Sequence, residues 1–278
     1  MSKNQTRILK TPESDQLPKR RGKISSLNSF MDRFGTFTSH KVKLPHAHLC
    51  FDDHCISNWH YNARDILRKH DAKAVFYIDS FDQLSNSDID LIFELKKDGH
   101  VIGCHGVSHK DALEYGETDN YIDEEVIPAM ESMAAVGLPP THFAFPYSSF
   151  NSSLYDAVSD MFCYIRLRPG QNTLYNDRFL LMRHADILRE REGGRNSETY
   201  EHRIRRGDMV NVIDEIDTKL KMGLGINLVF HDVHPQSQKN NGTHADKLGF
   251  VTKEELDTVL SAVKMAGASF ETFECSTN

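Results

Sequence analysis

Long apolar runs are missing from this chain: the longest are short, such as Ala74 to Ile78, and none approaches the roughly 18 residues that a membrane helix requires. A transmembrane segment is therefore excluded. The N-terminus also lacks the apolar core and small-residue cleavage site of a secretory signal, which makes the cytoplasm the expected location. Cysteine pairs are missing too. Cys50, Cys55, Cys104, Cys163 and Cys275 form an odd set without CxxC spacing, which predicts reduced thiols and no structural disulfide. No repeat of 20 to 50 residues recurs, so solenoids and propellers drop out. With only 9 prolines and 16 glycines in 278 residues, the chain is not collagenous or low-complexity. The net charge is −7, and residues 1–25 carry +5 (seven Lys/Arg against Glu13 and Asp15), which leaves −12 on the rest. A body of that sign repels nucleic acid, so nucleic acid is not an expected partner.

What is present is an alternation of brief apolar runs with amphipathic stretches. His48–Phe51, Ala74–Ile78, Val101–Cys104, Phe143–Phe145, Cys163–Ile165, Phe179–Met182, Ile226–Phe230 and Ser269–Phe273 read as strands, rich in aromatic or β-branched residues. Met209, Val212, Ile213, Ile216 and Leu220 follow helical spacing, as do Leu256, Val259, Leu260 and Val263 behind a Thr252/Glu255 capping box. A further helix is expected from an N-cap at Ser57, with Trp59, Ala63, Ile66 and Leu67 on one face. Strand–helix alternation means an α/β fold with a parallel sheet, and about seven units in the available length predict a closed or nearly closed (β/α) barrel. The expected organisation is a polar, basic extension over residues 1–40 followed by one domain over 41–278. In such folds the chemistry sits at the C-terminal ends of the strands.

Three polar clusters occupy such positions. Leu49-Cys50-Phe51 runs into Asp52-Asp53-His54, and both aspartates can face one site only if the backbone turns there, since strand side chains alternate faces. Val101 to Cys104 leads to His105-Gly106-Val107-Ser108-His109, whose two imidazoles are spaced to grip one metal ion. Two histidines and one aspartate make a three-ligand site with open positions, the pattern of catalytic metal centres. Asn227 to Phe230 leads to His231-Asp232, and an imidazole there titrates in the range needed to protonate a leaving group. His234, beside Pro235, reads as loop surface.

Cys50 to Asp53 resembles the (Thr/Ser)-Phe-Asp-Asp-Gly motif of the polysaccharide deacetylase (NodB-homology) family, His105 to His109 its His-(Ser/Thr)-x-x-His, and Leu228 to His231 its Leu-x-x-His. Ala74 to Tyr77, Phe143 to Tyr147 and Ser269 to Phe273 are similar to softer family features, and the likeness spans about residues 46–274. The resemblance implies a distorted (β/α) barrel that removes N-acetyl groups from amino-sugar-containing carbohydrate, with Asp53, His105 and His109 as metal ligands. It implies Asp52 as general base, His231 as general acid and a backbone N–H at Tyr147 as an oxyanion donor. The ligand set suits zinc, with cobalt, iron or nickel as alternatives.

The chain departs from the family pattern at several positions. His54 stands in place of the glycine, Gly106 in place of Ser/Thr, and Ala144 in place of the arginine that orients the base. Arg183, at another strand end, is the candidate replacement for that arginine. The family's tryptophan-containing fourth motif has no match, the only tryptophan being Trp59. The arginine-rich residues 189–208 read as a solvated excursion; the sharper reading is that Arg203, Arg205 and Arg206 meet the phosphate of a nucleotide- or lipid-linked sugar in surface-polysaccharide synthesis. Two other readings compete. His46-Ala47-His48 looks like the HxH of an amidohydrolase, but it precedes the apolar strand instead of following it. The altered positions also suit a non-catalytic metal- or sugar-binding relative. The sugar and the oligomeric state are not legible in the sequence.

Overall fold

The computed structural model describes residues 37–39, 45–166, 183–184, 209–221, 225–235, 250–272 and 275–277. Its strands are β1 (Phe37–Ser39), β2 (His46–Asp52), β3 (Val75–Ile78), β4 (Val101–Cys104), β5 (His142–Ala144) and β6 (Tyr164–Arg166), then β7 (Arg183–His184), β8 (Ile226–Phe230), β9 (Asp232–His234), β10 (Phe250–Thr252), β11 (Ser269–Phe270) and β12 (Cys275–Thr277). The main sheet has the order β6-β5-β4-β3-β2-β8-β7, with β11 also paired to β2, and every pairing in it is parallel. Helices lie between the strands, and the sheet curls into the distorted (β/α) barrel that the alternation predicted. Two small pairs stand apart: β1 with β12, antiparallel, and β9 with β10, parallel.

All seven residues of β2 are buried, as expected for a central strand covered on both faces. Its alternate residues separate two cores. Phe51 stacks on Phe76 and Phe230 with ring centroids 5.0 and 5.3 Å apart, and Trp59 covers Phe76 at 5.1 Å, which ties the sheet to the helical segment after β2. On the opposite face Cys50 packs with Val75, Tyr77, Ala144 and Val229.

Below that layer lie histidines. His48 Nδ1–H donates to the Glu271 carbonyl at 2.9 Å, and His142 Nε2–H donates to the Thr272 carbonyl at 2.7 Å. The chain after β11 is thus held beneath the strands by two buried imidazoles. His46 and His48 are buried at the start of β2, so the HxH pair belongs to the barrel floor, at the end of the strand opposite Asp52. Burial pushes the pKa of His48 down from 6.5 to about 3, and burial with Lys73 nearby pushes His100 down to about 4. Both bind a proton when unfolded at pH 5 but not when folded. Stability is accordingly expected to fall below about pH 6.5, by about 1.4 kcal/mol per pH unit for each histidine, levelling off only near the folded values. Urea titrations between pH 7 and 4 check this, and a flat profile would contradict it.

Most predicted elements are present. The helices Met209–Lys221 and Lys253–Met265 match their apolar periodicity, and Thr252 with Glu255 forms the capping box. The helix after β2 starts at Ile56, not after a Ser57 cap, and passes through a π-helical turn at Trp59–Ala63. Three further helices, Asn86–Lys97, Ile127–Ala135 and Ser152–Ser159, follow β3, β4 and β5. His234 is buried in β9 and bonded to Asp232, where the sequence suggested loop surface. The expectation of no disulfide is corrected: Cys163 is disulfide-bonded, while Cys50, Cys55 and Cys104 form no disulfide. Thiol spacing along the chain carries no information on which cysteines meet in space. Residues 179–182, 189–208, with Arg203, Arg205 and Arg206, and 222–224 lie outside the described residues.

Candidate active site

The strand register brings three clusters to one end of the sheet. Phe51 pairs with Phe230 across β2 and β8, so Asp52 and His231 each follow at the same level. Asp52 pairs with Tyr77, and Ile78 with Cys104, which puts His105 one residue beyond β4 at the neighbouring height. The backbone turn needed at the paired aspartates is present. Asp53 has φ +79°, in the left-handed region that most side chains avoid but aspartate tolerates. His109 (+54°) and Tyr147 (+57°) share this feature, and such strain tends to gather at functional sites.

Asp53, His105 and His109 offer ligand atoms that all lie within 4.8 Å of one another. His109 Nε2 is 3.1 Å and His105 Nε2 3.8 Å from Asp53 Oδ1. Two observations show that this group fits a divalent ion. Both Asp53 oxygens are buried and, apart from these imidazole contacts, find no well-formed hydrogen bond, an arrangement that is costly unless something else satisfies the carboxylate. His105 Nδ1–H donates to the Ala144 carbonyl at 2.7 Å, which fixes the tautomer and leaves the Nε2 lone pair facing the aspartates. Burial would raise the Asp53 carboxyl, but His109, His231 and His105 together hold it well below the usual carboxylate range.

Asp52 is held differently. Arg166 Nη2 donates to its Oδ2 at 2.6 Å and Nη1 to Oδ1, a bidentate ion pair between two buried side chains. Burial alone would raise the Asp52 carboxyl; Arg166, with His105 behind it, outweighs this and keeps it ionised below the usual range. The Arg166 guanidinium also lies 4.8 Å from the Tyr77 ring centroid. Tyr77 occupies that place because Gly103 faces it across β4: a Cβ there would come within 2.7 Å of the ring.

Arg166 was not singled out in the sequence. A guanidinium on Asp52 comes from β6, one strand over from Ala144, where the resemblance implies an arginine, and Ala144 and Arg166 are register partners. The small Ala144 side chain leaves room for the longer one beside it. Arg183 itself lies in β7, and its side chain is outside the described residues.

The His231 segment is pinned from the helix after β2. Trp59 Nε1–H donates to the His231 carbonyl at 2.6 Å, Asn58 Nδ2–H to Asp232 at 3.1 Å and Asn62 Nδ2–H to the Val233 carbonyl at 2.8 Å. Tyr147, 56% exposed, sets its ring 4.7 Å from that of His109. His54 pairs with Asp79 through Nδ1 at 2.8 Å, a contact that raises its pKa. His54 borders a cavity of about 400 Å³ lined also by Ser57, Asn58, Ser80 and Gln83.

The polysaccharide deacetylase family model matches residues 40–162 of this chain. The chain is similar in fold to the polysaccharide deacetylase Bc1974 from Bacillus cereus, with 19% identity, 84% of this chain and 93% of that one covered, and a TM-score of 0.54. It is similar also to a mutant of the peptidoglycan deacetylase PdaC from Bacillus subtilis, with 12% identity, coverage of 81% and 86%, and a TM-score of 0.50. Among curated relatives, the uncharacterized protein YlxY of Bacillus subtilis is 30% identical over 96 residues, 34% of this chain and 29% of that protein. The matches span about three tenths of the length of the curated relatives.

Proposed function

We propose that this protein is a metal-dependent hydrolase that removes N-acetyl groups from an amino-sugar-containing carbohydrate. The observation that carries the reading is the juxtaposition of two unlike carboxylates. Asp53 faces two imidazoles and has no other partner for its oxygens among the described residues, while Asp52 beside it is held ionised by Arg166. One suits a metal ligand and the other a base.

Asp53, His105 and His109 would hold the ion, most simply zinc, with cobalt, iron or nickel as alternatives. When bound, such an ion acidifies water and polarises a carbonyl. Asp52 takes a proton from the attacking water as the new C–O bond forms at the acetyl carbon. The Tyr147 backbone N–H is the donor we assign to the developing oxyanion. His231 gives a proton to the sugar nitrogen as the C–N bond breaks, so acetate and a free amine leave. The fixed His231 carbonyl keeps that side chain at the same end of the sheet as Asp52.

The substrate is proposed as an N-acetylated sugar or oligosaccharide, with attachment to a lipid or nucleotide carrier as a finer possibility to be tested with phosphorylated sugars. No helix among the described residues is long and apolar enough to cross a membrane. The cytoplasmic setting expected from the sequence is at odds with the disulfide at Cys163, because structural disulfides persist where the surroundings are oxidising, and an oxidising compartment is the setting proposed.

The deciding experiment measures bound metal together with acetate release from N-acetylglucosamine oligomers, for the protein and for Asp52→Asn. We expect about one divalent ion per chain in both, and acetate release from the first only. Absence of metal, or release that survives Asp52→Asn, would overturn the reading and favour a binding role without turnover.

A further inference from the structure

The loop between His105 and His109 has an anchor of its own. Glu125, in the π-helical turn Ile122–Val126, is 2% exposed and accepts four hydrogen bonds. Its Oε2 takes the backbone N–H groups of Val107 and Ser108, both at 2.8 Å. Its Oε1 takes the Tyr115 hydroxyl at 2.6 Å and the Ser108 hydroxyl. The two amides it fixes belong to the residues immediately before His109.

That placement matters because the loop is bent against its preferences. Gly106 has φ +84° and His109 φ +54°. A non-glycine residue in the left-handed region is sterically disfavoured, so His109 holds this conformation only if its neighbours impose it. Gly106 fits the same device. A Cβ at that position would stand 3.0 Å from Glu125 Oε2, tighter than ordinary contact, so the glycine that departs from the family pattern lets the carboxylate close on the loop.

We infer that Glu125 is a positioning residue. By gripping the amides of Val107 and Ser108 it fixes the backbone of His109, and so aims His109 Nε2 at Asp53 and sets the affinity of the site for a divalent ion. The inference rests on the proposed reading of Asp53, His105 and His109 as metal ligands. It adds that the site is preformed from outside the ligand set, by a carboxylate that never touches the metal.

The test is titration of the metal-free protein with zinc and with cobalt, for the wild type, Glu125→Ala and Glu125→Gln, with thermal unfolding of each metal-free form alongside. Partners that orient ligands typically account for about 10- to 100-fold in metal affinity, and we expect a weakening in that range for Glu125→Ala. Glu125→Gln should recover much of it, because Oε1 of glutamine can still accept the two amides while the Ser108 and Tyr115 hydroxyls turn to accept from its NH2 group. The glutamine variant also serves if the alanine variant does not fold. Variants that melt earlier yet bind metal as tightly as wild type, well below their melting temperatures, would make Glu125 a purely structural residue and overturn the inference. Wild type that binds no metal would instead overturn the reading beneath it.

Discussion

Replacing Arg166 with alanine is expected to cost about 10²- to 10⁴-fold in deacetylation at neutral pH, the usual contribution of a positioned general base, even though Arg166 is not assigned contact with substrate. The reason lies in the balance of forces on Asp52. Its carboxylate is buried, which favours the neutral form, and the bidentate pair with Arg166 is what keeps it charged. With the guanidinium removed, Asp52 either remains as an unpaired buried charge, at about 3–5 kcal/mol of stability, or takes up a proton and ceases to be a base. The second route limits the damage to the fold and moves the damage to the chemistry. The acid limb of the kcat/KM profile should therefore shift to higher pH in Arg166→Ala, with a smaller loss of rate in alkaline buffer. The register suggests a rescue: Ala144 lies directly opposite Arg166, so Ala144→Arg in the Arg166→Ala background should restore part of the rate at neutral pH. A pH profile for Arg166→Ala with the wild-type acid limb would show that Arg166 does not control the ionisation of Asp52.

Asp53→Asn is expected to take the protein from about one bound divalent ion per chain to none, and to abolish acetate release with it. Asparagine keeps the tolerance for the left-handed backbone at φ +79°, so the turn itself should survive. The metal-free variant should be less stable than metal-free wild type at neutral pH. The imidazoles around Asp53 hold its carboxyl below the ordinary carboxylate range, so the ionised form adds to the stability of the fold, and asparagine forgoes that contribution. Elemental analysis and urea midpoints check both halves. Metal retained by Asp53→Asn would remove Asp53 from the ligand set; a metal-free variant as stable as wild type at neutral pH would mean that the imidazoles do not favour the ionised carboxylate.

These expectations divide according to how far apart in the chain the participating residues lie. The barrel and the candidate ligand group of Asp53, His105 and His109 were legible because each motif is local. Leu49 to Asp53 and Val101 to His109 each contain a strand and the polar residues at its end, and a parallel sheet delivers all such ends to one side. The family resemblance rests on those same short stretches. Even the need for a turned backbone at Asp53 follows from the alternation of side chains along a strand.

What surrounds the ligands was not legible. Arg166 and Asp52 are 114 positions apart, and nothing in Tyr164-Ile165-Arg166 distinguishes that arginine from Arg183 at another strand end; only the strand order, β6 beside β5, sets Arg166 opposite Ala144. Glu125 sits among other acidic residues of an amphipathic segment, and only the helix path turns it inward beneath the His105–His109 loop. Trp59 reads as a core residue from its spacing, and it is one; its indole N–H reaching the His231 carbonyl, 172 positions away, is a product of packing. The same holds for His48 and His142 and for the disulfide at Cys163. The order of the elements and the residues at the strand ends can be read along the linear chain, because hydrophobic period and motif spacing are local quantities. Which buried charge meets which partner cannot, because that depends on strand order and register, which bring residues more than a hundred positions apart to within hydrogen-bond distance.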